Sequence, residues 1–293
     1  HLTNRRQRQM CIRDSFSPEL TDYQLAYKFD IYANEPHERW HIYVDAHTGD
    51  EILRISQICS LCENTTVCTG ESHHNGTPDF HTDLQYNYSM RDCDRNILTY
   101  DSQNTDNFYS DDIYLFQDAD CNFIDERQKA GVDVHWATAQ TYDFFNDNFG
   151  CAGFDCNGNA IQNWVHFGPT DYNNAFYNGL GFGYGDGDGF AYHSFTAIDV
   201  IAHEFTHGIT DHSAGLIYAY EAGALNESFS DIFGAVIEYQ KHHSESAWQD
   251  GDHWEIGERV TINGEGLTGI GLRSLRNPNA LASPDTYEGY NWQ

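Results

Sequence analysis

The chain has 293 residues, 40% hydrophobic and 15% aromatic, which is enough to bury the core of one large domain or two smaller ones. It carries 45 acidic against 15 basic residues, a formal net charge of −30, and this argues against nucleic acid as a partner because a phosphate backbone needs a basic face. No apolar run approaches the roughly 20 residues that a membrane-spanning helix needs, so we expect no membrane span.

The first fifteen residues differ in composition from the rest of the chain. The stretch NRRQRQMCIRDS at 4–15 holds four of the fifteen basic residues. It has neither the apolar stretch nor the small-residue cleavage site of a secretory signal. It looks like the translated read-through of a sequencing adapter, so we expect residues 1–15 to be non-native and leave them out of the fold prediction.

The next segment has the pattern of strands. Residues 25–55 alternate polar and apolar side chains, most clearly from Trp40 to Val44, which predicts two amphipathic strands with a turn at 47–50. The polar stretch 56–80, rich in Cys, Thr, Asn and Gly, is typical of a linker or processing region. From 81 to about 128, short strand patterns alternate with Asp, Asn and Ser turns.

The cysteines beyond residue 15 indicate an oxidising location. Cys151 and Cys156 flank four residues of a Gly- and Asn-rich loop, which predicts a disulfide that closes this loop. Cys93 and Cys121 lie on either side of a strand-like region, and we predict that a disulfide between them closes it. The CxxC at 59–62 has no second pair at finger spacing, so a zinc ribbon is the weaker alternative there. Disulfides imply a location outside the cytoplasm.

The second half of the chain changes to a helical period. Residues 130–147 place apolar side chains near helical spacing, and residues 160–168 have the pattern of a strand. Apolar-rich segments at 196–212 and 224–241 predict two further helices. A strand-rich half followed by a helical half predicts an α+β fold.

The stretch VIAHEFTHGIT at 200–210 predicts a metal site on the first of these two helices. His203 and His207 are four residues apart, so both rings lie on one face and can reach one ion. Glu204 projects about 100° round the helix and can border the metal as a general base without filling the site. A helix with two solvated histidines is the alternative reading of this motif.

The following helix offers the third ligand that a catalytic zinc needs. Glu227 lies on this helix and can complete a set of two histidines and one glutamate, leaving one position open. Asp231, four residues on, can accept the distal N–H of a ligand histidine. A first-turn carboxylate favoured by the helix dipole would explain Glu227 alone, but not Asp231 among apolar neighbours.

These motifs carry a family resemblance. Residues 199–239, DVIAHEFTHGITDHSAGLIYAYEAGALNESFSDIFGAVIEY, resemble the active-site core of the thermolysin-like metallopeptidases. The likeness covers roughly 70–293, through DYNNAFYNG, VDVHW, WEIGE and LRSLRNP, and 25–55 are similar to the end of the family's propeptide. The resemblance implies a zincin-type α+β fold and a secreted zinc endopeptidase acting on proteins and peptides. It also implies structural calcium and a propeptide that serves as intramolecular chaperone and inhibitor.

The resemblance assigns roles residue by residue. His203, His207 and Glu227 match the zinc ligands. Glu204 matches the base that activates water, and Tyr218 matches a tyrosine that stabilises the oxyanion. The substrate-binding matches are Asn174 and Ala175 for the substrate backbone, Arg273 beside the primed-side pocket, and Val200 and Leu272 lining that pocket. An apolar pocket of this kind implies cleavage before a hydrophobic side chain.

The resemblance also implies calcium sites. The residues matching one site are Asp199, Glu238, Glu255 and Glu258, and Asp252 is a further candidate for the same site. His253 stands at the family's fifth carboxylate position and Asp252 is one residue off, so the number of ions is open. Converging carboxylates repel one another unless a hard cation binds them. Asp118 and Asp120 match a further calcium site, with ordinary turn carboxylates as the alternative.

The predicted organisation follows from these assignments. It comprises adapter-like sequence at 1–15, the end of a propeptide at 16–58, a processing region at 59–70, a β-rich catalytic subdomain at 71–195, and zinc-binding helices with the start of a helical subdomain at 196–293. The chain stops before the family's V-H-x-N-S-G segment, so we expect a truncated, poorly folded and weakly active or inactive precursor. The alternative is a non-catalytic metal-stabilised fragment or a propeptide-type folding module. An aminopeptidase is disfavoured because no acidic G-A-M-E-N-like motif precedes the zinc helix.

Overall fold

The computed structural model divides the chain into two compact units. The described residues are 3–4, 8–12, 24–34, 37–56, 64–108, 110–243, 254–262, 271–286 and 288–292. The units are His1–Glu63 and Asn64–Gln293. The predicted boundaries at 15, 58, 70 and 195 are finer than this division and stay predictions.

The first unit is an antiparallel sheet. Its strands are β1 (Thr3–Asn4), β2 (Arg8–Ile12), β3 (Gln24–Asn34), β4 (His37–Asp45) and β5 (Glu51–Ser56). Strand β3 pairs with β1, β2 and β4, and β4 pairs with β5. The β4–β5 turn is closed by Asp45, whose Oδ1 accepts the N–H groups of His47 and Thr48 at 2.6 and 2.7 Å. Gly49 has a φ of 80°, the left-handed conformation that such a turn needs.

The prediction of two strands over 25–55 is wrong by one strand. The structure has three strands there, with an additional break between Asn34 and His37. In the sequence Pro36 stands between these two strands, and proline, which has no N–H to donate to a strand ladder, is the sequence signal that could have predicted their separation.

The second unit combines sheets and helices, and the α+β prediction is confirmed. Its strands are β6 (Thr65–Gly70), β7 (Asp79–Leu84), β8 (Tyr88–Ser89), β9 (Arg91–Asp92), β10 (Ile97–Asp101), β11 (Tyr114–Leu115), β12 (Gln117–Asp118), β13 (Asn122–Phe123), β14 (Ile161–Val165), β15 (Ala175–Tyr177), β16 (Phe182–Tyr184), β17 (Glu255–Ile256) and β18 (Arg273–Ser274). Its α-helices among the described residues are α1 (Glu126–Phe149), α2 (Ile198–His212) and α3 (Tyr220–His242), and a short 3₁₀ turn spans Pro278–Leu281.

Two sheets build the strand-rich part of this unit. One has the order β12-β8-β7-β6-β13, and the other has the order β11-β10-β14-β16-β15 with β9 also on β10. In the second sheet β10, β14 and β16 run parallel, whereas β15 is antiparallel to β16. Strand β15 is therefore an edge strand of this sheet within the described residues.

Helices α1 and α2 pack in the core. Helix α1 begins after Asp125, whose N–H is accepted by the Gln128 side chain at 3.2 Å, and ends at Gly150 in the left-handed conformation with a φ of 67°. Helix α2 is buried along most of its length, and Ile198, Ile201 and Ala202 have no exposed surface. The polar HExxH residues therefore lie on a core helix, where polar groups need partners.

Helix α3 crosses α2 at close range. A Cβ atom on Gly234 of α3 would lie 2.7 Å from the backbone oxygen of Asp199 at the start of α2, so a larger residue has no room there. This approach brings the Glu227 end of α3 against the histidines of α2.

Two disulfides are described, and one of them corrects a prediction. Cys151 and Cys156 are joined, as predicted. The pairing of Cys93 with Cys121 is wrong, because Cys121 is bonded to Cys68. Cys68 lies on β6, and Cys121 directly precedes β13, the parallel neighbour of β6. The pairing of β6 with β13 thus brings Cys68 next to Cys121, and the sequence alone does not show which strands pair. Among the described residues, no helix has the length and apolarity to cross a bilayer.

Truncation of an aromatic residue at the centre of this core is expected to cost about 3–5 kcal/mol of the free energy of unfolding. Phe205 is 1% exposed and its ring lies 5.9 and 5.7 Å from the rings of Phe145 and Phe182. Urea unfolding of Phe205→Ala measures this loss. Phe190→Ala is the matched control, because Phe190 is 87% exposed and should change stability by less than about 0.5 kcal/mol.

Candidate metal centre and active site

Helices α2 and α3 bring five predicted site residues together. Helix α2 supplies His203, Glu204 and His207, and α3 supplies Glu227 and Asp231. His203 and Glu204 are buried, at 5% and 8% exposure, because α2 lies inside the unit. The site therefore lies between two packed helices.

The two histidines and Glu227 face one point. The Nε2 atoms of His203 and His207 are 3.0 Å apart. The Glu227 carboxylate lies 3.3 Å from His203 Nε2 through Oε2 and 3.5 Å from His207 Nε2 through Oε1. A tetrahedral ion with ligands at about 2.0–2.1 Å requires ligand separations of roughly 3.3–3.4 Å. The three side chains therefore fit the ligand spacing of a zinc ion.

The opposite nitrogen of each histidine is held by α3. His203 Nδ1 lies 2.7 Å from Asp231 Oδ1, and His207 Nδ1 lies 2.8 Å from Asn226 Oδ1. Ser230 Oγ is also 3.1 Å from His207 Nδ1. Because carboxylate and amide oxygens accept hydrogen bonds, these contacts place the proton on Nδ1 and leave each Nε2 lone pair for a metal.

Asn226 and Ser230 are site residues that the sequence analysis missed. They precede Glu227 and Asp231 by one position each and are themselves four residues apart. That spacing puts both on one face of α3, beside the Glu227–Asp231 pair. A second polar i, i+4 pair directly beside the Glu227–Asp231 pair is the signal that would have identified them.

Arg273 lies against the same network. Its Nε donates to Asp231 Oδ2 at 2.8 Å and its Nη2 donates to Asp231 Oδ1 at 2.7 Å. This bidentate contact fixes the carboxylate that orients His203. The resemblance assigned Arg273 to a substrate pocket. In the structure, Arg273 also holds Asp231, the residue that orients His203.

The electrostatics of the pocket favour positive charge. Burial opposes the charged form of His203, but the hydrogen bonds to Asp231 and Glu227 outweigh it and raise the pKa of His203 to about 9. Burial likewise raises the pKa of Glu227, yet its contacts with His203 and Tyr218 prevail and lower that pKa to about 2. The pocket therefore stabilises added positive charge, as a site for a divalent cation must.

Glu204 and Tyr218 border this pocket. One carboxylate oxygen of Glu204 and the ring nitrogens of His203 and His207 all lie within 4.8 Å of one another. The Tyr218 hydroxyl donates to Glu227 Oε1, and its ring centroid is 5.8 Å from that of His207. Burial, followed by the contact with Glu227, raises the pKa of Tyr218, so the phenol stays protonated at neutral pH.

The predicted substrate residues are distributed round α2. Asn174 is exposed and directly precedes the edge strand β15, which begins with Ala175. Val200 is buried in the core cluster, and Leu272 packs against that cluster. The structure thus places Asn174 at an accessible sheet edge, while Val200 belongs to the packed interior.

Three of the predicted calcium residues lie close together, with Asp199 at the start of α2 and Glu238 near the end of α3. Carboxylate oxygens of Asp199, Glu238 and Glu258 lie within 4.8 Å of one another. Asp199 accepts the N–H groups of Gly257 at 2.5 Å and Val200 at 2.8 Å. Both oxygens of Glu238 and Oε2 of Glu258 are buried and have no hydrogen-bond partner among the described residues.

The other predicted calcium residues do not join this group. Glu255 accepts a hydrogen bond from Ser274 at 2.9 Å, which ties it to the β17–β18 pair. Asp252 lies outside the described residues. Asp118 accepts the N–H groups of Asp120 and Asn122 at 2.9 and 3.2 Å, and across the described ranges no third metal-type ligand gathers with Asp118 and Asp120.

The sequence was compared with protein-family models and with curated proteins. The family described as thermolysin metallopeptidase, catalytic domain, matches residues 67–211, and its α-helical domain matches residues 214–293. Bacillolysin of Brevibacillus brevis is 37% identical over 268 residues, 90% of this chain and 46% of the relative. Extracellular elastase of Staphylococcus epidermidis is 34% identical over 275 residues, 89% of this chain and 49% of the relative.

A solved structure agrees with the sequence matches. The precursor of protealysin, a metalloproteinase from Serratia proteamaculans, superposes with a TM-score of 0.51 at 36% identity, covering 61% of this chain and 52% of that chain. The present chain spans about half the length of the curated relatives it matches. The chain belongs to the thermolysin metallopeptidase family, because both family domains match it, a relative is 37% identical over most of its length, and Glu227 lies beside the HExxH helix.

Proposed function

We propose that this chain forms the zinc-binding part of an exported endopeptidase that acts on proteins and peptides. The observation that carries the proposal is the close approach of His203, His207 and Glu227, with the Glu204 carboxylate beside them. Three protein ligands and an open position are the arrangement of catalytic zinc sites, whereas structural sites are closed by four.

The zinc would be held by His203, His207 and Glu227, and it would supply Lewis-acid polarisation of the scissile carbonyl and of water. Glu204 is the general base of the proposal. Its carboxylate accepts a proton from the attacking water and delivers that proton to the nitrogen of the departing amine, so no net proton is consumed.

Tyr218 is the proposed hydrogen-bond donor to the oxyanion. In this structure the protonated phenol donates to Glu227, a proposed metal ligand, and in the proposed reaction it donates instead to the oxygen on which negative charge develops. Asp231, held by Arg273, and Asn226 keep the two imidazoles in the metal-binding tautomer.

The substrate proposal rests on the edge strand β15. An extended peptide can add to a sheet edge through backbone hydrogen bonds, and this would use Asn174 and the Ala175 carbonyl. Val200, Leu272 and Arg273 form the proposed primed side, with a preference for a hydrophobic residue after the cleaved bond. Peptide libraries that vary the residue on either side of the cleavage point test this preference.

Two further parts of the proposal concern the precursor. The sheet of residues 24–56 is proposed to belong to a pro-region that assists folding and inhibits the enzyme, and the similarity to a protealysin precursor supports this. Export is supported by the disulfides Cys68–Cys121 and Cys151–Cys156 and by a relative that is named as an extracellular enzyme.

Hydrolysis of casein by the purified protein, blocked by a zinc chelator and restored by zinc, tests the function. We expect activity to follow zinc content up to one ion per chain. Zinc binding at that stoichiometry without hydrolysis would favour the alternative of a non-catalytic metal-stabilised module.

We also propose that Asp199, Glu238 and Glu258 bind calcium. Carboxylate oxygens are the ligands that calcium prefers, and the two buried oxygens of Glu238, which accept no hydrogen bond from the described residues, could bind a cation. Burial, and then the charge of Asp199, raises the pKa of Glu258 to about 8, and the same causes raise the pKa of Glu238. Glu258 therefore keeps its proton at neutral pH unless a cation replaces it.

Without calcium, the free energy of unfolding is expected to fall as the pH rises from 4.5, the ordinary pKa of Glu258, to its folded value of about 8. In this window Glu258 keeps in the folded state a proton that it has released in the unfolded state, so it contributes a slope of up to about 1.4 kcal/mol per pH unit. Urea unfolding across this range, at constant free zinc, measures the slope. Saturating calcium should abolish it, and an identical slope with and without calcium would contradict the proposed site.

A further inference from the structure

Arg259 lies among the carboxylates of the proposed calcium site. Its Nε is 3.5 Å from Glu238 Oε1 and 3.7 Å from Glu258 Oε1. The side chain is only 21% exposed, so water screens these contacts less than it would on an open surface. Its guanidinium group carries one positive charge.

The guanidinium is held in this position from the opposite side. Arg259 Nη1 donates to the backbone oxygen of His74 at 2.8 Å. The loop around His74 is itself fixed, because the His74 N–H donates to Asp133 Oδ1 at 3.2 Å and its Nε2 lies 3.0 Å from the Ser194 oxygen. The contact with His74 therefore fixes the position of the Arg259 guanidinium, unlike that of an arginine on an open surface.

The carboxylates need such a charge. Asp199 and Glu238 have no exposed surface, and the Glu258 side chain is 13% exposed. Buried like charges within 4.8 Å of one another repel strongly, and either protons or cations must compensate for this repulsion. Arg259 is the basic side chain that the structure shows in contact with Glu238 and Glu258.

We infer that Arg259 is a built-in cation of this cluster, which holds the carboxylates together when calcium is absent and weakens calcium binding when it is present. The inference rests on the calcium site proposed above and adds a determinant of its affinity. Both effects have one cause, since the guanidinium attracts the carboxylates and repels a divalent ion that approaches them.

The two effects are linked in a thermodynamic cycle. Removing the charge destabilises the calcium-free protein more than the calcium-loaded protein, because calcium itself compensates for the carboxylates in the loaded form. A substitution that destabilises only the calcium-free folded protein must strengthen calcium binding by the same free energy. We expect Arg259→Gln to lower the Kd for calcium roughly tenfold.

The experiment uses the full chain in buffers that hold free zinc constant. Calcium is titrated calorimetrically into wild type, Arg259→Gln, Arg259→Lys and Arg276→Gln, and the Tm of each is measured with and without saturating calcium. Arg276 is exposed, so Arg276→Gln is the control for the loss of one positive charge elsewhere. We expect a tighter Kd and a wider Tm difference for Arg259→Gln, and wild-type behaviour for Arg276→Gln and Arg259→Lys.

Each other outcome has a defined meaning. If Arg259→Gln lowers the Tm equally in both conditions and leaves the Kd unchanged, Arg259 is only a tether for the His74 loop, and the inference is wrong. If Arg259→Gln does not fold in either condition, Arg259→Lys decides, and a roughly tenfold change in Kd despite the retained charge overturns the inference. A wild-type chain that neither binds calcium nor gains stability from it refutes the calcium site itself, which is a different failure.

Discussion

Replacement of His207 by alanine is expected to remove stoichiometric zinc binding from this protein. Two protein ligands would remain, His203 and Glu227, where catalytic zinc sites use three. Loss of a contact that merely orients a ligand costs about ten- to a hundredfold in metal affinity, so we expect loss of the ligand itself to cost more than about a hundredfold. Metal analysis after dialysis, together with a competition assay against a chromophoric chelator, measures the change.

His212→Ala is the matched control for this substitution. His212 lies on the same helix, and its Nδ1 lies 2.9 Å from the Gly208 backbone oxygen, so it takes no part in the proposed ligand set. We expect this variant to bind one zinc ion with the affinity of the wild type. If His207→Ala also binds zinc with unchanged affinity while retaining its helical circular dichroism, His203, His207 and Glu227 are not the zinc ligands.

Replacement of Glu204 by glutamine is expected to lower peptide hydrolysis by at least about 10²–10⁴-fold while zinc binding is retained. Glutamine has nearly the same shape as glutamate but does not accept a proton at neutral pH. Glu204 borders the ligand set without belonging to the His203–His207–Glu227 triangle, so its loss leaves the metal in place. The assay is casein hydrolysis at equal zinc content.

Glu221→Gln serves as the control for Glu204→Gln. Glu221 is exposed in the first turn of α3, so the same chemical change there should leave hydrolysis within about twofold of the wild type. Hydrolysis by Glu204→Gln at the wild-type rate would refute the role of Glu204 as general base. The zinc-ligand assignment would stand, because it is tested separately through His207.

Local patterns predicted the helices well and the strand connections poorly. The segments predicted at 130–147 and 196–212 are the helices α1 and α2, because a 3.6-residue period can be read within one segment. The break between β3 and β4 and the Cys68–Cys121 disulfide were both missed. Disulfide pairing depends on which strands become neighbours, and β6 and β13 meet although some fifty residues separate them.

The family resemblance named the residues of the candidate site but not their contacts. It assigned Arg273 to a substrate pocket, whereas its bidentate bond with Asp231 becomes visible only once β18 lies beside α3. It assigned the calcium carboxylates without Arg259, because the resemblance transfers matched positions and does not show which charges differ. Only the structure therefore shows which side chains orient the two histidines and which basic side chain lies beside the calcium carboxylates.

What the sequence by itself determined is the presentation of two imidazoles and a carboxylate on one helix, since the spacing HExxH fixes their directions through the helical repeat alone. Only the tertiary structure decided that Glu227 lies 3.3 Å from His203 and that Glu238 lies close to Asp199. The reason is that both distances depend on how closely α3 crosses α2, and the absent side chain of Gly234 sets that approach against the backbone of Asp199.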